Sequence, residues 1–137
     1  MYTTIVHPTD GSTGARRAAD HAIELAQDHD ATLHIVSVVD RRRFEEPALS
    51  SAELAVDAIE DQAHGHVESL RRRAESEGVQ VHTRVSHGVP ADEILDYARQ
   101  VGADAIVLGT RGERSMPGLG SVTRRVVTQA ECAVLTV

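Results

Sequence analysis

The 137-residue chain contains no lysine and no tryptophan, a single cysteine, and only three aromatic residues of the Phe/Tyr/Trp class, Tyr2, Phe44 and Tyr97. Each scarcity excludes something. Cys132 alone cannot close an internal disulfide, and no Cys-x-x-Cys or zinc-ligand spacing accompanies it, so a disulfide-stapled secreted scaffold and a structural zinc module are both ruled out. No apolar run approaches the roughly 20 residues that span a bilayer, and the amino terminus lacks a basic segment followed by a hydrophobic stretch. A cytoplasmic protein is expected. With so few aromatics the core must be built from Val, Ile, Leu and Ala, a composition suited to a parallel sheet under alanine-rich helices.

Hydrophobic residues make up 41% of the chain and charged residues 26%, enough apolar surface to offset the entropy of folding. The length predicts one domain spanning 1–137. A formal net charge of -7 argues against binding along a nucleic-acid backbone, which requires a basic face to displace counterions. A single bound nucleotide needs only local donors and stays open. All 14 basic residues are arginine, which fits codon bias and a salty cytoplasm equally well.

Along the chain, Thr3 to Val6 reads as a β-branched strand stopped by the turn formers His7-Pro8-Thr9-Asp10-Gly11-Ser12. From about Ser12 to His29, Ala15, Ala18, Ala19, Ala22, Ile23 and Ala26 recur at three and four, one buried helical face with Ser12 or Thr13 as N-cap. Thr32 to Val39 is a second strand. A long helix follows from about Leu49 to Ser76, with Leu54, Ile59, Val67 and Leu70 as its apolar contacts, Gly65 as a weak point and Gly78 as its stop. Val79, Val81, Thr83 and Val85 alternate with polar residues, the pattern of a strand near a sheet edge. Pro90, with Asp92 and Glu93 behind it, opens a helix to about Val101. Ala103 to Leu108 is a central strand, Ser121 to about Ala130 a helix, and Cys132 to Val137 a final strand. Five strands alternating with four helices, without repeat or linker, predict an α/β doubly wound parallel sheet. Ligands of such sheets lie beyond the carboxyl strand ends where the strand order reverses.

Two loops carry the chemistry. Gly109 to Gly120 holds four glycines in twelve residues between a buried strand and a helix. Glycine permits close backbone approach, and the free N–H groups of a helix start attract anions, so the loop outlines a phosphate site. It is no Walker loop, since no Gly-Lys-Ser/Thr follows. The first loop places Asp10 beside the same crevice, where a carboxylate can accept hydrogen bonds from a ribose diol. Taken singly, the glycine loop also serves as a plain connection and Asp10 as a cap or turn residue; together they supply donors and acceptors for a nucleotide.

Val6-His7-Pro8-Thr9-Asp10-Gly11-Ser12 and Gly109-Thr110-Arg111-Gly112 through Gly120-Ser121-Val122 resemble the two signatures of the universal stress protein family, and the resemblance covers the whole chain. It implies a five-stranded parallel sheet of order 3-2-1-4-5 with helices on both faces, of the Rossmann-like, adenine nucleotide alpha hydrolase-like type. In the nucleotide-binding branch nine residues separate the second and third signature glycines; here seven separate Gly112 from Gly120, with Pro117 among them. Carried over position by position, the resemblance implies that Pro8, Thr9 and Asp10 line the adenosine side, with Asp10 near the ribose. Val38 matches the position whose backbone meets adenine. Gly109 and Gly112 flank ribose and phosphates, Gly120, Ser121 and Val122 donate to the phosphates, and Arg111, standing where many relatives carry histidine, lends a charge to a polyphosphate or is simply solvated. His87-Gly88-Val89-Pro90 resembles the family's structural turn before the third helix. The implied cofactor is ATP, with Mg²⁺ or Mn²⁺ held by its phosphates and not by protein ligands.

The family resemblance further implies a homodimer paired through Cys132 to Val137. The expectation is therefore an ATP-binding module acting as a dimeric, nucleotide-responsive regulator in stress adaptation, with a protein partner the sequence does not name. The alternatives are a dimeric interaction module of the same fold that binds no nucleotide, and a slow ATPase, for which no general base is placed by the sequence. The eight histidines do not amount to a metal site: His64 and His66 are two apart on a helix and share no face. The runs Arg41 to Arg43 and Arg71 to Arg73 read as solvated, and Cys132 as a small packing residue.

Overall fold

The computed structural model describes residues 1–40, 49–110 and 120–137, the side chains of 49–56 aside. The strands are β1 (Thr4–Pro8), β2 (Thr32–Val39), β3 (Gln80–His87), β4 (Ala105–Leu108) and β5 (Ala133–Thr136). Between them run α1 (Thr13–His29), α2 (Leu49–Ser76), α3 (Pro90–Val101) and α4 (Ser121–Gln129). All pairings are parallel, in the order β3-β2-β1-β4-β5 expected for the doubly wound sheet.

Side chains alternate across each strand, so each strand feeds both faces. Ile5, Leu33, Ile35 and Val107 meet the alanine face of α1 and Val67 and Ala74 of α2. Val6, Val36, Ile106 and Leu108 meet Ala91, Ile94, Leu95 and Ala98 of α3 and Val126 of α4. The small alanines let both helix layers approach a sheet whose largest fully buried side chains are Ile, Leu, Val and one histidine, His7. Leu54 lies among the residues whose side chains are not described.

Local signals set the ends of the helices. Ser12 is the N-cap of α1, its Oγ accepting the Ala15 N–H at 3.2 Å. Asp30 closes the same helix in the left-handed region at φ 52°, its N–H reaching the Ala26 and Gln27 carbonyls. Pro90 starts α3 with Asp92 and Glu93 in its first turn. Gly65 does not interrupt α2, which runs through it unbroken.

Two expectations shift. β1 does not stop at Val6 but continues through His7 and Pro8. The Thr9 N–H donates to the Val36 carbonyl at 2.8 Å, so Pro8, one residue earlier, turns its nitrogen toward β4, where pairing has already ended at Val6 and Ile106. The missing N–H of proline therefore costs no ladder bond. The arginines 71 to 73 do more than meet solvent: Arg71 pairs with Glu68 and with Glu75 at 3.0 Å, and Arg73 reaches Asp20 on α1 at 2.6 Å, tying the two helices of one face together. Arg41 to Arg43 lie outside the described residues.

Candidate nucleotide site

The strand order reverses between β1 and β4, whose following helices leave to opposite faces of the sheet. This is the switch point at which open α/β sheets bind ligands. Three expected segments converge there. Pro8 pairs with Val36 in register, which puts Val38, two residues further along β2, at the same carboxyl edge as Thr9 and Asp10. Val38 itself is half-buried against the α3/α4 core.

The β1–α1 turn is rigid by its own bonds. Thr9 Oγ1 accepts the Gly11 N–H at 3.1 Å and Asp10 Oδ1 accepts the Ser12 N–H at 2.9 Å. Gly11 sits at φ +77°, and a β-carbon there would fall 2.2 Å from a ring atom of His66, which lies over the turn from α2. The positive φ favours glycine, and a β-carbon would also have to push the His66 ring aside. Thr9 is buried, whereas Asp10 presents an exposed carboxylate to the crevice edge.

On the β4 side, Thr110 and Gly120 bring the two ends of the glycine segment together: the Gly120 N–H donates to the Thr110 carbonyl at 2.7 Å, and the Thr110 N–H to the Val137 carbonyl at 3.0 Å. Gly120 is the N-cap of α4 and contributes no side-chain cap, and no acidic residue stands in the first turn. The leading N–H groups of α4, at Ser121 and Val122, lack intrahelical partners and face where an anion is favoured. The amino end of α1 is different, being closed by Ser12 and bordered by Asp10. Of these two ends only that of α4 suits a phosphate.

Gly109 has a role that its place in the loop did not reveal. A β-carbon on it would lie 2.9 Å from the backbone carbonyl carbon and oxygen of Gly14, so its bareness admits the first turn of α1. Thr123 Oγ1 donates to the Gly109 carbonyl at 2.7 Å and anchors the same residue to α4. Pro8, Thr9, Asp10, Val38, Gly109, Gly120, Ser121 and Val122 are thus gathered at one sheet edge; Arg111 and Gly112 lie outside the described residues. Gly14 and Thr123 were not singled out from the sequence, and His66 was weighed there only as a metal ligand, because nothing local marks a residue whose partner is remote.

Beneath the crevice lies His7. Its Nδ1–H donates to the Val107 carbonyl at 2.9 Å, bridging β1 and β4 just past their last paired residues, and Nε2 is buried with no partner among the described residues. Burial pushes this imidazole down from 6.5 to about 4, so it is neutral at physiological pH. Among the described residues no group of three or more His, Cys, Asp or Glu is set to hold a metal ion.

The universal stress protein family model matches residues 1–137, the whole chain. The chain belongs to this family. A universal stress protein of Methanocaldococcus jannaschii is 40% identical over 140 residues, an alignment covering all of this chain and 82% of that protein. Among solved structures, the universal stress protein UspA from Lactobacillus plantarum superposes with a TM-score of 0.91 at 33% identity, over 99% of this chain and 97% of that one. A universal stress protein in complex with cAMP matches with a TM-score of 0.72 at 29% identity, over 99% and 96% of the two chains. One from Archaeoglobus fulgidus in complex with dAMP matches with a TM-score of 0.67 at 26% identity, over 98% and 97%.

Proposed function

We propose that this universal stress protein binds an adenine nucleotide, ATP in the first instance, between the β1–α1 turn and the amino end of α4. The observation that carries this reading is the pairing of an uncapped, acid-free helix start at Gly120 to Val122 with the exposed Asp10 carboxylate across the switch point. The first provides N–H donors for phosphate and the second acceptors for ribose hydroxyls. Relatives of the same fold solved with cAMP and with dAMP support the adenine assignment. ATP brings its own Mg²⁺ or Mn²⁺, coordinated by phosphate oxygens.

In this reading nucleotide binding changes the surface offered to a protein partner in stress adaptation. Homodimerisation would proceed through β5, the last strand of the sheet, which among the described residues pairs with β4 alone. Among the described residues no helix is long and apolar enough to cross a membrane.

Calorimetric titration of nucleotide-stripped protein with MgATP, at low and high KCl, tests the proposal. Saturable binding of one nucleotide per chain is expected, together with loss of at least tenfold in affinity on Gly120→Leu at unchanged thermal stability. Absence of heat and of thermal stabilisation at either salt refutes it and leaves the interaction-module alternative, for which light scattering on the intact protein reports the dimer.

A further inference from the structure

On the α3 face of the sheet, away from the crevice, four side chains with recognition chemistry meet. His34 of β2 and His82 of β3 are in register on adjacent strands, and their rings stack with centroids 5.1 Å apart and planes inclined by 28°. Arg84, two residues beyond His82, returns to the same face, and its guanidinium carbon lies 5.2 Å from the centre of the Tyr97 ring. Tyr97, from α3, stands edge-on to His34 at 5.5 Å with its hydroxyl 2.8 Å from Nδ1. His82 and Arg84 are exposed, His34 and Tyr97 half-buried.

We propose that His34, His82, Arg84 and the Tyr97 hydroxyl form an acid-gated binding site for a small phosphate-bearing anion, separate from the nucleotide crevice. Among the described residues, the groups facing the site are all donors or potential cations. The charge acting on His34 comes from His82, and that acting on Tyr97 from Arg84. The three carboxylates of α3 are used elsewhere: Asp92 pairs with Arg125 of α4, Asp96 with Arg99 at 2.9 Å, and Glu93 packs against Gly88 at the far end of β3. From β3, Gln80 and Ser86 flank the same face without charge, while Val81 and Val85 turn to the other face and its α2 core.

At neutral pH His34, held below the usual histidine value, is uncharged, and its ring stacks on that of His82 without repulsion. Protonation of both rings places two imidazolium groups against each other and near a guanidinium, with no carboxylate facing them among the described residues. Burial together with His82 holds His34 below the usual histidine value, so His34 resists this step. A phosphate group removes the resistance: its oxygens can accept from both imidazoles, the guanidinium fork and the phenol at once. Anion binding and protonation are therefore linked, each favouring the other.

The probe is inorganic pyrophosphate, titrated at constant ionic strength into the intact protein while the ring resonances of His34 and His82 and the backbone amides of α4 are followed by NMR. The expected result is a response of both histidines at pH 5.5, with affinity at least tenfold higher than at pH 7.5 and the titration midpoints of both rings raised by the ligand. Pyrophosphate itself loses negative charge over that interval, so the gain must come from the protein. His82→Gln and Arg84→Gln, both at exposed positions, should each lower the affinity at pH 5.5 at least tenfold with an unchanged urea midpoint at pH 7.5. Histidine resonances that ignore pyrophosphate at pH 5.5, a response confined to the Ser121 and Val122 amides, or variants that bind as the wild type does, would overturn the proposal.

Discussion

Acidification should destabilise this protein in measurable part through His7. In the folded chain burial holds its imidazole at about 4, whereas in the unfolded chain it titrates at the ordinary 6.5. Between these values the unfolded state binds a proton that the native state refuses, so stability rises with pH across the interval. Above 6.5 neither state is protonated and the stabilisation is complete; it is lost as the pH falls through 6.5 toward 4. One proton corresponds to about 1.4 kcal/mol per pH unit, so the loss over the window is about 3 kcal/mol, a large part of the 5–15 kcal/mol typical of a domain. Urea unfolding of wild type and His7→Val at intervals from pH 7.5 to 4 measures it. The valine variant starts with a fixed penalty, having lost the bond to the Val107 carbonyl, but its stability should fall less steeply by one proton. Carboxylates and the other histidines contribute equally to both proteins and cancel in the comparison. Parallel curves for the two proteins across the whole window would refute the reasoning.

Three further outcomes are expected. Gly109→Ala forces a β-carbon to within 2.9 Å of the Gly14 backbone and should cost about 1–3 kcal/mol by overpacking, read from the urea midpoint, whether or not nucleotide is present. Ser12→Ala removes the cap that accepts the Ala15 N–H and should cost about 1 kcal/mol, with Ser12→Gly milder, in the same assay. Asp104 accepts from the Thr3 N–H at 2.8 Å, the Thr3 hydroxyl at 2.7 Å and the Thr4 N–H at 2.9 Å, bonds that hold its carboxyl below the usual carboxylate range. Asp104→Ala should therefore lower the unfolding midpoint at pH 7 and remove a stabilisation that the wild type loses only as acid protonates this group, a loss of midpoint seen equally at pH 7 and pH 3 being the contrary result.

Much of this protein was legible in the order of its residues because the deciding physics is local. The three-and-four spacing of Ala15 to Ala26, the cap at Ser12, the Pro90 start with its acidic first turn, and the apolar strand Ala105 to Leu108 each report on neighbours a few positions away. The alternation from Val79 to Val85 marked β3 as exposed on one face, and it is indeed the sheet edge. The turn at Asp10 and the glycine-rich approach to α4 were marked by composition, and the fold then brought both to the switch point.

What the chain order could not show depends on residues distant in sequence. Gly109 resembles a ligand-facing glycine until Gly14, 95 positions earlier, is seen against it. Gly11 is favoured by its own φ, and the His66 ring from α2 lies where its β-carbon would go, a contact the helix spacing of His66 does not reveal. His7 was read as the start of a turn, yet it is a buried bridge between β1 and β4, because the carbonyl it satisfies belongs to a strand 100 residues away. The pairing of His34 with His82 has the same origin: strand register, set by the whole sheet, turns two unremarked histidines into a stacked pair. Sequence by itself determined the elements, their caps and the family; only tertiary structure decided which backbones and rings approach closely, since close approach is a property of packing between segments and leaves no periodic trace within either one.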